Sequence, residues 1–187
     1  MLDKRYAESL RVKFTQGQIF AYPTEAVFGL GCDPDNESAV MALLKLKQRD
    51  IAKGLILVAN DYQQLLPYVE DKAIPERNKQ EIFTSWPGPN TWLLPAKLTA
   101  PIWVTGGSEL IAVRVSAHPL VKELCELFQK PMISTSANVS GLPAAMSTNE
   151  VVEQFASQVT IIEGELGGAS NPSMIRHGIS GQVIRGS

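Results

Sequence analysis

The sequence predicts an α/β protein of the α+β type: one domain over residues 1–187, built as a twisted mixed β-sheet flanked by helices. Three observations support this. Segments with apolar residues at helical spacing alternate with short apolar runs along the 187 residues, the interleaving that one compact α/β unit produces. Hydrophobic residues make up 44% and charged residues 19%, which supplies one sizeable core and argues against disorder. The last stretch reads as a hairpin, whereas the crossovers before it favour parallel pairing, so the sheet is mixed. These patterns leave the strand order open.

Residues 3–15 form a predicted helix, with Tyr6, Leu10 and Phe14 on one side and Gly17 ending it. Residues 19–22 read as a short strand closed by Pro23. Residues 23–32 follow as a shaped loop in which Gly29 and Gly31 permit turns. Asp35 or Asn36 caps a helix over 37–48 with Val40, Leu43, Leu44 and the Lys47 stem inward. After Gly54, residues 55–59 are a continuous apolar strand. Helical stretches near 61–68 and 75–84 precede the stiff turn Trp86-Pro87-Gly88-Pro89 and a strand over 91–95. A turn at 105–108 leads into a strand over 111–115, and His118-Pro119 opens a helix to about Gln129. Residues 132–135 form a strand, Thr148 caps a helix over 149–156, and 159–162 form another strand. A glycine-rich connection leads to the tail hairpin, 173–177 and 182–185, turned at Ser180-Gly181.

The net charge of −2 and pI near 5.7 do not suit a protein that coats itself with nucleic acid, so any RNA contact must come from local clustering. Met1-Leu2-Asp3-Lys4-Arg5 leads into an amphipathic segment with no apolar signal core, and the uncharged run 82–96 carries three prolines. A soluble, cytoplasmic protein without a membrane segment is expected. Cys125 lies in a helical apolar pattern and reads as core. Cys32 sits beside the first polar loop with nothing that marks it as a nucleophile.

Two polar clusters carry the chemistry. Lys45, Lys47, Arg49 and Lys53 place four cations within nine positions, opposed only by Asp50. They suit a phosphate and carboxylate clamp, and equally a solvated helix end that complements the helix dipole. Ser134, Thr135, Ser136, Asn138 and Ser140 gather small polar groups at a strand exit. They can cradle phosphate or satisfy their own backbone. No general base stands beside these hydroxyls, which disfavours a serine nucleophile. Arg114, near the end of an apolar strand, calls for an anionic partner. Glu25 can orient a substrate amine or serve as a turn carboxylate. His118 caps or packs, with proton transfer as its other role, and His118 and His177 complete no metal motif. Gly29-Leu30-Gly31 is neither a dinucleotide fingerprint nor a Walker loop.

Five blocks in order carry a resemblance. They are Ala21-Tyr22-Pro23-Thr24-Glu25-Ala26-Val27-Phe28-Gly29-Leu30; Leu46-Lys47-Gln48-Arg49 with Lys53-Gly54-Leu55; Trp86-Pro87-Gly88-Pro89; Ala112-Val113-Arg114-Val115 with His118-Pro119; and Ser134-Thr135-Ser136-Ala137-Asn138. Together they resemble the YrdC/Sua5 family, and its short bacterial members more than the longer ones with an extra carboxy-terminal domain. The resemblance implies a large concave basic cavity. It also implies a nucleotidyl transfer in which L-threonine, bicarbonate or CO2, and ATP give L-threonylcarbamoyl-AMP and pyrophosphate. A downstream tRNA threonylcarbamoyl-transferase complex would use that product to form N6-threonylcarbamoyladenosine (t6A) at position 37 of ANN-decoding tRNAs.

On this resemblance Lys47, Arg49, Ser136 and Asn138 are the expected catalytic and nucleotide-binding residues, while Thr24, Lys53, Arg114 and Ser134 are expected to bind substrate. Mg²⁺ is expected to accompany ATP, with no protein metal site. Two departures stand out. Asp50 follows the Lys-x-Arg element where many relatives have Pro, and Met174-Ile175-Arg176-His177 replaces a Ser/Thr-rich pattern ending in Asp. A competing reading is a non-enzymatic RNA-binding or ribosome-maturation factor using the same cavity; direct tRNA or RNA contact is left open by the sequence on either reading. Another carbamoyl-adenylate enzyme with a different acceptor is a third.

Overall fold

The computed structural model describes residues 2–186. Its elements are α1 (Lys4–Thr15), β1 (Phe20–Pro23), β2 (Phe28–Gly31), α2 (Glu37–Lys47), β3 (Ile56–Ala59), α3 (Glu76–Thr84), β4 (Asn90–Pro95), α4 (Ile102–Thr105), β5 (Leu110–Val115), α5 (Pro119–Phe128), β6 (Met132–Ser136), α6 (Thr148–Phe155), β7 (Thr160–Ile161), β8 (Met174–His177) and β9 (Val183–Arg185). The strands form one mixed sheet in the order β7-β1-β2-β6-β3-β5-β4-β8-β9. β3–β5, β4–β8 and β1–β7 pair in parallel, and the other pairs are antiparallel. The expected twisted mixed sheet with flanking helices is therefore present.

Helix starts follow from local hydrogen bonding. The Asp3 carboxylate accepts from the Arg5 and Tyr6 amides, and Asn36 accepts from Ala39. Ser147, rather than the expected Thr148, caps α6 by accepting from the Glu150 amide. Its backbone there is extended, as an N-cap requires. The stretch expected near 61–68 settles as a 3₁₀ turn, Tyr62–Leu65, and the short α4 was not expected at all. Its four residues are too few to display a period.

The clearest difference lies in residues 23–32. Pro23 still pairs, opposite Phe28, and β2 runs through the segment expected to be a loop. Gly29 and Gly31 serve close approach rather than turning. A Cβ on Gly31 would lie 2.3 Å from the Ile133 carbonyl and 2.9 Å from the Tyr22 hydroxyl. Only glycine lets β2 sit between β1 and β6 with the Tyr22 ring beside it. Cys32, just beyond, is fully buried in the main core.

The two faces of the sheet are covered differently. Leu30, Leu57, Val113 and Ile133 join the α2 residues Val40, Leu43 and Leu44 in the main core. On the opposite face, Phe20, Tyr22, Val58 and Met132 pack with Leu10 and Phe14 of α1 and Val121, Leu124 and Phe128 of α5. Phe14 stacks on Phe128 with ring centroids 3.9 Å apart. α1 and α5 cover only part of that face, and the remainder is where the cavity lies. No described helix is long and apolar enough to cross a membrane.

Candidate active site

Residues paired across neighbouring strands share a face. Ser134 of β6 lies opposite Ile56 of β3, Ile56 opposite Ala112 of β5, and Ala112 opposite Leu93 of β4. This row, with Gly29 opposite Ser136, floors a cavity of about 640 Å³, within the usual size of a small-molecule site. Thr24, Arg49, Lys53, Arg114, Ser134, Ser136 and Asn138 all line it. The expected site residues are thus brought together, with Lys47 as the exception.

The end of α2 explains that exception. Gln48 adopts a left-handed backbone (φ 51°) and stops the helix, so the side chains on either side of it diverge. Lys47 is 3% exposed. Its Nζ donates to the Ser136 carbonyl at 2.5 Å, the Asn138 carbonyl at 2.7 Å and Asn138 Oδ1 at 3.4 Å. All three ammonium hydrogens are thereby used within the protein, and Lys47 ties down the hydroxyl-rich turn from behind rather than facing the cavity. Burial, and next the nearby Arg49 charge, lower its pKa to about 8.

Arg49 faces the cavity. Its Nη2 donates to the Gly54 carbonyl at 2.9 Å, while its buried Nε has no hydrogen-bond partner among the described residues. Burial, and then the approach of Arg185, push its pKa down. A half-buried guanidinium beside a second one invites an anion. Asp50 does not blunt this clamp. Its Oδ1 accepts from the Ala52 amide at 2.9 Å and caps the 3₁₀ turn Ile51–Lys53, which carries Lys53 to the cavity wall.

The turn after β6 is internally braced. Ser136 Oγ donates to Asn138 Oδ1 at 2.6 Å, and Asn138 Nδ2 donates to the Val139 and Leu142 carbonyls. The Ala137 amide continues the ladder to the Phe28 carbonyl. Across the cavity, Thr24 donates its hydroxyl to the Val27 carbonyl at 2.7 Å, leaving the oxygen's acceptor side for a ligand.

Arg114 projects from β5 and forms an ion pair with Glu25. Its Nε donates to the Gly88 carbonyl at 3.1 Å, and the Ser116 hydroxyl donates to Glu25 Oε1 at 2.7 Å. His118 is buried, and its Nε2 lies 3.0 Å from the Glu165 carbonyl. The glycine-rich connection packs over this corner: the Gly167 amide donates to the Thr24 carbonyl and the Ala169 amide to that of Glu25.

Sequence reasoning missed the tail's contribution. Ser173, Ile175, Ile184 and Arg185 complete the wall. Arg185 donates to the Ser173 carbonyl at 2.8 Å, and burial lowers its pKa. The strand prediction over 182–185 was the available signal, but nothing in it told which neighbour the hairpin joins. The unusual Arg176 and His177 are structural. Arg176 sits over Trp92, 4.6 Å from its centroid, and pairs with Glu81 at 2.5 Å. His177 Nδ1 accepts from the Ile179 and Ser180 amides in the hairpin turn.

No group of three His, Cys, Asp or Glu able to hold a metal occurs among the described residues. Glu25, the one carboxylate among the described lining residues, already serves Arg114 and Ser116. The residues do not fit a protein-held cation.

The sequence and the fold have known counterparts. The Sua5/YciO/YrdC family model, described as "Telomere recombination", matches residues 13–187. The chain belongs to this family. Among its members, the threonylcarbamoyl-AMP synthase of Pseudoalteromonas atlantica is 64% identical over 172 residues, covering 92% of each chain. That of Photorhabdus laumondii is 51% identical over 178 residues, covering 95% of this chain and 94% of the relative. The crystal structure of P. abyssi Sua5 complexed with L-threonine superposes with a TM-score of 0.86 at 31% identity, covering 95% of this chain. This chain spans about half, 52%, of that longer Sua5 protein. Escherichia coli YciO shares the fold, with a TM-score of 0.81 at 19% identity over 98% of this chain and 92% of its own.

Proposed function

We infer that this chain is a threonylcarbamoyl-AMP synthase, a nucleotidyltransferase that joins L-threonine, bicarbonate or CO2, and ATP into L-threonylcarbamoyl-AMP with release of pyrophosphate. The observation that carries the reading is the meeting of the Arg49–Lys53 arm, the Ser134–Asn138 turn, Thr24 and Arg114 in one cavity. Separate cation and hydroxyl clusters in one concave site suit two anionic reactants held side by side.

The chemistry follows from that requirement. Threonine's neutral amine captures CO2 as an N-carboxylate and releases a proton to solvent, and a carboxylate oxygen then attacks the α-phosphorus of ATP as the bond to pyrophosphate breaks. Arg49 and Lys53 offset the phosphate charge that builds in this step. Ser134 orients a phosphate oxygen, and Ser136 joins it by turning its hydroxyl from Asn138 Oδ1 toward the ligand, while Asn138, with both amide hydrogens held by the Val139 and Leu142 carbonyls, shapes the turn. Lys47 acts behind them, keeping the turn in place through its three donors. Thr24 and Arg114 hold the substrate end. Mg²⁺ would accompany the nucleotide's phosphates and screen their charge.

The product serves a downstream transferase complex that forms t6A at position 37 of ANN-decoding tRNAs, in the cytoplasm, with residues 1–187 acting as one catalytic domain. The test is pyrophosphate release from ATP and bicarbonate with and without L-threonine, RNA omitted, with the product identified by mass. Threonine-dependent formation of threonylcarbamoyl-AMP supports the reading. Threonine-independent release, or salt-sensitive RNA binding with no product, defeats it.

A further inference from the structure

We propose that Glu25 is a positioning residue that aims the Arg114 guanidinium into the cavity, and that Ser116 sets the Glu25 carboxylate for this purpose. A carboxylate in a cavity built for anions is a liability unless it acts through a cation. Glu25 is that case: its cavity neighbours include Arg49, Lys53, Arg114 and Arg185, and both its carboxylate oxygens are committed to the protein.

The arrangement is directional. Arg114 lies in β5 and Ser116 one residue beyond its end, where the Ser116 amide continues the ladder to the Ala59 carbonyl, so both side chains leave the same face. Ser116 Oγ accepts from the His118 amide at 3.1 Å and gives its hydroxyl proton to Glu25 Oε1 at 2.7 Å. Glu25 Oε2 then pairs with Arg114 Nη2. The Ala169 amide holds the Glu25 backbone carbonyl at 2.8 Å. Gly88 takes Arg114 Nε at 3.1 Å from the other side. A long, flexible side chain is thus pinned at Nε and Nη2, and its Nη1 remains for an incoming oxyanion, an amino-acid carboxylate or a nucleotide phosphate. Burial works against the Glu25 charge, but Arg114 and the Ser116 hydroxyl outweigh it and draw its pKa below the usual value. The pair therefore stays ionised at neutral pH.

The inference rests on the proposed function, and its test separates the two. Wild-type formation of threonylcarbamoyl-AMP is the control for the function. Calorimetric titration with ATP and, separately, with L-threonine reads positioning without turnover. Glu25→Gln keeps the side chain's size and an acceptor for Ser116. It should weaken binding, and raise KM, about tenfold for one of the two reactants, the scale of one charge-assisted hydrogen bond. Arg114→Ala should weaken the same reactant. Combining the two should add no more than about twofold to Arg114→Ala alone, because residues acting through one contact are not additive. Glu25→Asp should recover part of the loss. Thermal melts by circular dichroism establish that each variant is folded. The proposal is overturned if Glu25→Gln is folded and binds both reactants normally. It is also overturned if its effect persists in full in the Arg114→Ala background, which would make Glu25 a direct substrate contact or base.

Discussion

Lys47 and Arg49 are two residues apart in one basic motif, yet they do opposite work. Lys47 is the last residue of α2 and turns into the protein, where Ser136 and Asn138 absorb its donors. Arg49 follows the left-handed Gln48 and faces the cavity with part of its guanidinium unpartnered. One cation braces the turn and the other faces the cavity. Like charges in a short motif therefore do not imply like placements; the backbone between them decides which one reaches the cavity.

The largest expected effect comes from the outward member. Arg49→Ala should lower threonylcarbamoyl-AMP formation about 10²–10³-fold, the scale of removing one preorganised charge stabiliser. Its melting temperature should stay close to wild type. A full-rate variant would remove Arg49 from the chemistry.

Lys47→Met should show the converse emphasis. It leaves the Asn138 carbonyl without a donor and the Ser136 carbonyl with only the Asn138 amide, a loss of about 1–3 kcal/mol in folding stability, read by urea unfolding. Product formation should also fall, because the Ser136–Asn138 turn loses its stay. If Lys47→Met unfolded like wild type but lost activity as severely as Arg49→Ala, Lys47 would instead be a direct ligand group.

A pH profile sharpens the contrast at smaller amplitude. Folding lowers the Lys47 pKa from 10.5 to about 8. Between these values the folded protein has released a proton that the unfolded chain retains. The Lys47 contribution to stability therefore rises with pH across that window, even as the turn loses its cation. Product formation by wild type relative to Lys47→Arg, whose guanidinium keeps its charge, should fall as pH passes about 8. A constant ratio through the window would detach the Lys47 charge from activity.

The smallest effect belongs to Asp50→Ala. Its carboxylate caps the turn that carries Lys53 rather than pairing with the clamp. The loss should be about 0.5–1 kcal/mol in stability, as for an N-cap, with turnover within about twofold of wild type. A large gain in activity would mean that Asp50 does oppose the clamp.

Much of this was legible in the chain. Leu10 with Phe14, and Val40 with Leu43 and Leu44, announce inner helix faces because burial repeats with the helical period. The tail hairpin was visible too, since its turn ends at Gly181 with φ 75°. β2 was hidden because Gly29 and Gly31 stand where a strand normally shows β-branched residues. Their reason, the nearness of Tyr22 and Ile133, is a tertiary fact. The cation and hydroxyl clusters disclosed their chemistry but not their aim. Which way Lys47 turns depends on carbonyls about ninety residues away. Arg185 was obscured for a similar reason: β9 reads as an exposed tail strand, and only the β8–β4 pairing carries it to the cavity.

That pairing has a consequence for how the protein is made. β8 joins the sheet beside β4, although some eighty positions separate partners such as Asn90 and Met174. A nascent chain emerging from the ribosome will have delivered Arg49, Arg114 and the Ser136 turn well before Ser173 and Arg185 arrive. Until β8 and β9 emerge, the half-built basin stands open along one side to bulk water, and its affinity for an anionic ligand should switch on only when these two strands join the sheet.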